Sequence, residues 1–180
     1  PSSARDMIAA EIIPHGFSIA RALTGEAVGT LSWRLQRPEA GEWRLAAATP
    51  SGCSLSIVVS LAARPTFASC RVLGTRGSAT ADLFHGFAVL EPPLSSRGYK
   101  IRRPFTTGLH QIIQSTGSLV ARAAHGETAY PGLRSLCRQS YDAFFNEGNS
   151  PFRDDEVVDV AIARDVALAL LPGTRQGPPS

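Results

Sequence analysis

A glutamate and a histidine near the start of the chain form its most suggestive pair of chemically active residue types. Glu11 and His15 are four residues apart, so on a helix their side chains share one face. A carboxylate beside an imidazole fixes the tautomer and raises the basicity, which suits proton transfer to or from a hydroxyl or carbonyl oxygen. The same spacing is also typical of a histidine that caps a helix or hydrogen-bonds near its start, and the pair alone does not decide between these roles.

The other candidate groups are isolated in the sequence. His85 ends a predicted strand and is expected to be a turn residue between two strands. His110 and His125 fall in or after a helix, and neither has a partner at metal spacing. Tyr130 lies in a loop that leads into a helix, a position from which a phenol can line a binding site or pack in a core. The sequence contains neither a dinucleotide-binding nor a nucleotide-binding glycine-rich loop. We therefore expect this chain alone to bind no cofactor and no metal.

Composition limits the classes of function. The 180 residues are 43% hydrophobic and 18% charged, with a net charge of +3, which is typical of a globular protein. Acidic residues are spread among the basic ones, so we expect no nucleic-acid surface. No run approaches the roughly 18 apolar residues that a membrane-spanning helix needs. Three widely separated cysteines favour a reducing, cytoplasmic compartment over a disulfide framework.

Hydrophobic periodicity predicts the elements that must position these residues. Residues 3–25 are predicted to be helical, with Pro14 expected to kink the helix or open a second one and Gly25 to end it. Alternation of apolar and polar residues predicts about six strands between residues 28 and 91. After an expected loop at 92–103, the 3.6-residue period returns and predicts further helices.

Together these elements predict an α+β fold. Short turns favour a large, mostly antiparallel sheet of about six strands, with helices packed on its apolar face. The other face is small and polar along its clearest strand, where it carries Ser54, Ser56, Val58 and Ser60. We expect this open face to receive substrate or a second copy of the chain. Residues 1–172 then form one domain and residues 173–180 a flexible tail or linker.

Three motifs occur in a distinctive order. The first is the predicted helix segment 11–18, Glu-Ile-Ile-Pro-His-Gly-Phe-Ser, with a Leu-x-Gly after it; the second is residues 72–79, which contain a Gly-x-x-Gly turn. The third, residues 130–156, contains two predicted helix starts. In order and spacing they resemble the D-x-G-x-H-x-x-D helix, the G-x-x-G hairpin and the closing helices of one family. That family is the glucose–fructose oxidoreductase / inositol dehydrogenase family (Gfo/Idh/MocA), and the resemblance to its C-terminal domain spans about residues 3–171.

The resemblance implies the substrate-side domain of an NAD(P)-dependent oxidoreductase that acts on a sugar-like polyol or keto sugar. Family members hold NAD or NADP in an N-terminal Rossmann half, which also supplies a catalytic lysine in an E-K-P motif. That half is missing here, and Lys100, the only lysine, lies in no such motif. His15 matches the family's proton-transferring histidine and Glu11 the acid before it. Ser18 matches a later aspartate, and with Tyr130 it is expected to bind substrate.

A non-catalytic assembly module is the alternative. In that case two copies pack their open sheet faces together in a symmetric homodimer, and His15 is structural. If the chain is instead the oxidoreductase domain, its expected partners are the missing Rossmann half, a small substrate and a second copy. Neither alternative includes nucleic acid or a membrane. Because the chain begins at Pro1, we expect it to be a processed product or an excised piece.

Overall fold

The chain folds into helices and antiparallel strands. The computed structural model describes residues 3–93, 97–126, 133–146 and 150–171. Within these ranges the elements are, in chain order, α1 (Ala4–Thr24), β1 (Arg34–Gln36), β2 (Glu42–Ala48), β3 (Ser54–Ser60), β4 (Ser69–Gly74), β5 (Gly77–Asp82), β6 (Phe87–Glu91), α2 (Arg97–His125), α3 (Leu133–Phe145) and α4 (Asp154–Ala169). The predicted α+β class with six antiparallel strands is confirmed. None of the helices, over the residues described, is both long and apolar enough to cross a membrane.

The six strands are divided between two sheets instead of forming one. Strands β1, β2 and β3 pair in that order, and β4, β5 and β6 pair separately. The segment between β3 and β4 includes Pro65, which has no N–H to donate and so interrupts strand pairing. The chain divides at the same place into two compact units, a first unit of Pro1–Ala63 with Phe152–Ser180 and a second unit of Arg64–Pro151.

The first unit buries one face of its sheet beneath helices. In β2 and β3 the residues Trp43, Leu45 and Val59 are buried, whereas the alternate residues Ser56 and Val58 are exposed. Helix α1 packs against β2, β3 and α4. The apolar side chains of α1 that enter this core recur every three or four residues: Ala9, Ala10, Ile13, Phe17 and Ala20. The first sheet therefore has helices on one face and an open second face, as the sequence predicts.

Helix α1 runs without a break through Pro14, so the expectation that a second helix opens there is wrong. Proline cannot donate to the carbonyl four residues earlier, which is that of Ala10. Here the side chain of Arg164, on α4, donates to the Ala10 carbonyl instead, with an Nε–O distance of 3.2 Å. Gly25 ends the helix in the left-handed region, at φ 70°, as predicted.

The second unit joins its sheet to helix α2. Strands β4 and β5 form a hairpin in which Gly74 pairs with Gly77. Helix α2 packs against β6. It begins at Arg97, so the loop expected over 92–103 is shorter than predicted. The expected single domain, 1–172, spans both units, and the expected tail, 173–180, lies outside the described residues.

Candidate functional site

The predicted catalytic and substrate-binding residues of α1 lie on its exposed side. Glu11, His15 and Ser18 are all exposed. Because the helix is regular over this segment, their i, i+4, i+7 spacing places them on one face. Tyr130, the other predicted substrate-binding residue, lies outside the described residues. The structure thus gathers three of the four predicted site residues on one helix face.

Glu11 is engaged by an arginine of α4. Its Oε1 lies 2.7 Å from Arg164 Nη2, and the Glu11 side chain is 75% exposed. The same guanidinium binds the Ala10 carbonyl, so Arg164 is held at two points of α1. Among the hydrogen bonds of the described residues there is none between Glu11 and His15. The i, i+4 spacing places Glu11 and His15 on one face, but the Glu11 carboxylate binds Arg164 and not His15.

His15 lies in the middle of a row of apolar side chains on the surface of α1. Ile8, Ile12, Ile19 and Leu23 lie three or four residues apart along this row, with His15 between the second and the third. Ile8 and Leu23 are more than half exposed. Within the described parts of the chain, His15 has neither a hydrogen bond nor an ion pair. Its ring nitrogens are therefore free to bind a ligand or move a proton.

A hollow of about 180 Å³ lies one turn before His15 on the same helix. Met7, Glu11 and Arg164 line it, together with apolar residues of α4 and the segment after it. A surface that combines an ion pair with apolar walls can hold a small polar molecule. His15 is not among the lining residues, so the hollow and the imidazole are neighbouring features of α1 and not one pocket.

Asp6, which the sequence analysis does not single out, is the most heavily bonded carboxylate of the first unit. It is 2% exposed and accepts hydrogen bonds from Arg37 Nη2 at 2.6 Å, Gly41 N at 3.0 Å and Trp43 Nε1 at 3.0 Å. The Arg37 guanidinium holds the pKa of Asp6 far below its usual range. Asp6 also forms the capping box of α1 together with Ser3. The Ser-x-x-Asp pattern of Ser3 and Asp6 in the sequence indicates the helix cap, but it does not indicate the contacts with Arg37, Gly41 and Trp43.

Asp159, on α4, is the second buried carboxylate of this unit. It accepts hydrogen bonds from the backbone N–H groups of Val28 at 2.8 Å and Gly29 at 2.9 Å, and from Arg21 Nη1 at 2.7 Å. Burial raises the pKa of Asp159, but these hydrogen bonds outweigh it and leave the pKa below the ordinary value. The carboxylates of Asp6 and Asp159 both accept their hydrogen bonds from groups of the first unit, so we interpret both residues as structural.

In the second unit His85 is paired with an aspartate, Asp82, that the sequence analysis does not single out. His85 Nδ1 lies 2.8 Å from Asp82 Oδ2, and the His85 backbone N–H donates to Asp82 Oδ1 at 2.8 Å. Ser118, on α2, donates to the carbonyl of His85 at 2.7 Å. These contacts close the turn between β5 and β6 and tie it to α2. The expected turn role of His85 is confirmed, with a carboxylate partner added.

The described residues contain no group of three or more histidine, cysteine, aspartate or glutamate side chains placed to hold a metal ion. Comparison with protein-family models, with curated proteins and with solved structures finds no match to this chain. The geometry of α1 and the order of the sequence motifs are therefore the basis for a functional proposal.

Proposed function

We propose that this chain is the substrate-side domain of an NAD(P)-dependent oxidoreductase that acts on a sugar-like polyol or keto sugar. The carrying observation is the accessible imidazole of His15 within the exposed apolar row of α1. A row of this kind is typical of a surface that a second body covers. In our proposal the covering body is the Rossmann half, and the substrate lies between that half and His15.

The described residues do not form a dinucleotide-binding fold. Both sheets are antiparallel, whereas a dinucleotide-binding loop follows a parallel strand and opens a helix. In our proposal the cofactor therefore belongs to the Rossmann half. The role left to this chain is to bind the substrate and to hold or move the proton on its reacting oxygen.

His15 performs the proton step in this proposal. An imidazole is the side chain best suited to accept and return a proton. Arg164 occupies the carboxylate of Glu11, so Glu11 acts on His15 only as a neighbouring charge and orients no ring nitrogen. Ser18, one turn further along the face, is placed to hydrogen-bond a substrate hydroxyl.

The test is substitution of His15 in the intact protein that includes the Rossmann half. We expect His15→Ala and His15→Asn to lower kcat for oxidation of a reactive polyol about 10²–10⁴-fold. The KM for the nicotinamide cofactor should stay unchanged, because this chain does not bind it. His110→Ala, which removes an exposed histidine of α2, is the matched control and should retain full turnover. Full turnover in both His15 variants would refute the proposed role.

Assembly through the open face of the first sheet is a second candidate function. The observation that favours it is the exposed row of small side chains on β3, which no helix of the first unit covers. Two such faces can pack together in a symmetric dimer. In this case Val58→Asp, which places a charge in the row, should convert a dimer into a monomer, whereas His15→Ala should not. A dimer that survives Val58→Asp argues against this assembly.

A further inference from the structure

Helix α2 holds its own sheet with its polar side. Arg103 Nη2 lies 2.7 Å from Glu91 Oε2, and the Thr107 hydroxyl donates to Glu91 Oε1 at 2.8 Å. About three turns further along the same side, Ser118 donates to the carbonyl of His85. A helix that docks through hydrogen bonds on one side must present its other side elsewhere.

The side of α2 that does not face the sheet is apolar and uncovered. Its large apolar side chains are each more than half exposed: Ile101, Phe105, Leu109, Ile112, Ile113, Leu119 and Val120. If each of these seven side chains exposes about 100 Å², together they expose roughly 700 Å² of apolar surface. A monomer seldom leaves so large an apolar patch open. The area is close to the roughly 800 Å² that each partner contributes to a standard interface.

The residues of this apolar face have the same spacing whether they are read from the N-terminal or the C-terminal end of α2. Its central row follows the steps four, four, three, four, four, through Ile101, Phe105, Leu109, Ile112, Thr116 and Val120. If a second α2 lies antiparallel against the first, Leu109 faces Ile112 of the other copy. In the same register Ile101 faces the other copy's Val120, and Phe105 faces its Thr116. A two-fold pair therefore brings the rows together over their whole length.

The charges of α2 favour the same antiparallel arrangement. The helix has basic residues in its N-terminal turns and no acidic residue. Basic groups are unfavourable at the positive end of their own helix dipole and favourable at the negative end of another. An antiparallel second copy places the N-terminal turns, including Arg102, beside the C-terminal turns of its neighbour. Arg122, the other basic residue near that end, is half-buried.

We propose that the apolar face of α2 is an interface with a second copy of this chain, formed by two antiparallel α2 helices around a two-fold axis between Leu109 and Ile112. This interface is independent of the proposed oxidoreductase function, because it uses neither α1 nor the open face of the first sheet. The interface accounts for the fact that α2 contacts its own sheet through polar residues and leaves its apolar residues exposed.

The first test is the mass of the full 180-residue chain in solution, measured by light scattering or sedimentation. We expect a dimer that Val58→Asp leaves intact and that Ile112→Glu converts to the 19.1 kDa monomer. Gln114→Glu adds the same charge to the same helix outside the apolar row and should remain dimeric. Unchanged circular dichroism in Ile112→Glu shows that the chain still folds. A wild-type monomer at high concentration, or a dimer that survives Ile112→Glu, overturns the proposal.

The second test fixes the direction of the helices by cross-linking. In a background with Cys53, Cys70 and Cys137 replaced by serine, Leu109→Cys and Ile112→Cys chains are prepared separately and then mixed. The antiparallel register predicts a disulfide-linked dimer of one variant with the other. A parallel pair instead links Leu109→Cys to itself. A disulfide between two Leu109→Cys chains, or no disulfide in the oxidised mixture, overturns the proposed register. This outcome does not depend on a variant that fails to fold.

Discussion

Helices α1 and α2 differ in how much of their apolar surface is buried. Helix α1 sends Ile13 and Phe17 into a core where both are fully buried, whereas Phe105 on α2 is 79% exposed. Their first turns differ as well, since α1 begins with a capping box, while α2 has no acidic residue in its first turn. The first unit thus has a buried core, whereas the large apolar side chains described for α2 are mostly exposed.

The two buried carboxylates make the first unit dependent on single charged groups. We expect Asp6→Ala to lower the free energy of unfolding by about 3–5 kcal/mol, because Arg37 and the N–H of Trp43 lose their shared acceptor. The measurement is urea denaturation followed by tryptophan fluorescence. Asp165→Ala removes a carboxylate that is 76% exposed and should cost less than about 0.5 kcal/mol. Equal losses in the two variants would mean that the Asp6 network does not stabilise this unit.

Two leucines in strands provide a matched comparison of the units. Leu45, on β2, is 1% exposed, whereas Leu90, on β6, is 71% exposed. Leu45→Ala should lower the free energy of unfolding by about 2–5 kcal/mol, because it removes buried contacts and leaves a cavity. Leu90→Ala should change it by less than about 0.5 kcal/mol. Urea denaturation followed by circular dichroism reports both. A large loss for Leu90→Ala would show that the second unit has a core of its own.

Acid should act on the second unit through Glu91. Hydrogen bonds from Arg103, then Thr107, lower the pKa of Glu91 from 4.5 to about 2. A carboxylate with a lowered pKa stabilises the fold above pH 4.5, and that contribution is lost as the pH falls from 4.5 to about 2. We expect Glu91→Gln to make the stability of the second unit flatter over this range.

The two tryptophans separate the units in this experiment. Trp33 and Trp43 both lie in the first unit, so fluorescence follows that unit, whereas circular dichroism follows both. In the wild type, the circular dichroism change should begin at a higher pH than the fluorescence change. In Glu91→Gln the early change should shrink. Coincident transitions with an unchanged acid profile in the variant would contradict the role of Glu91.

Local patterns in the sequence predicted the elements well because their causes are local. The alternation of β2 and β3 and the glycine that ends α1 each depend on neighbours within a few residues. The loop predicted over 92–103 was too long because the proline, glycine and serine residues in this range are typical of loops. Proline sits inside both α1 and α2, so its presence alone did not mark a helix end.

The surroundings of the candidate site could not be predicted in the same way. The partner of Glu11 is Arg164, which lies 153 residues later in the chain, and no pattern near either residue indicates the pair. The separation of the six strands into two sheets likewise depends on which strands pair, and each strand alone carries no such information. The helix face with Glu11, His15 and Ser18 was predictable because it needs only helical geometry.

The place of α4 in the chain has a consequence for synthesis. The backbone N–H groups of Val28 and Gly29, near the start, find their acceptor in Asp159, which the ribosome adds long after them. The second unit lies between Gly29 and Asp159 in the chain, so these two N–H groups lack their acceptor until the second unit has been synthesised. Helix α4 therefore completes the hydrogen bonding of the first unit only after the second unit has been synthesised.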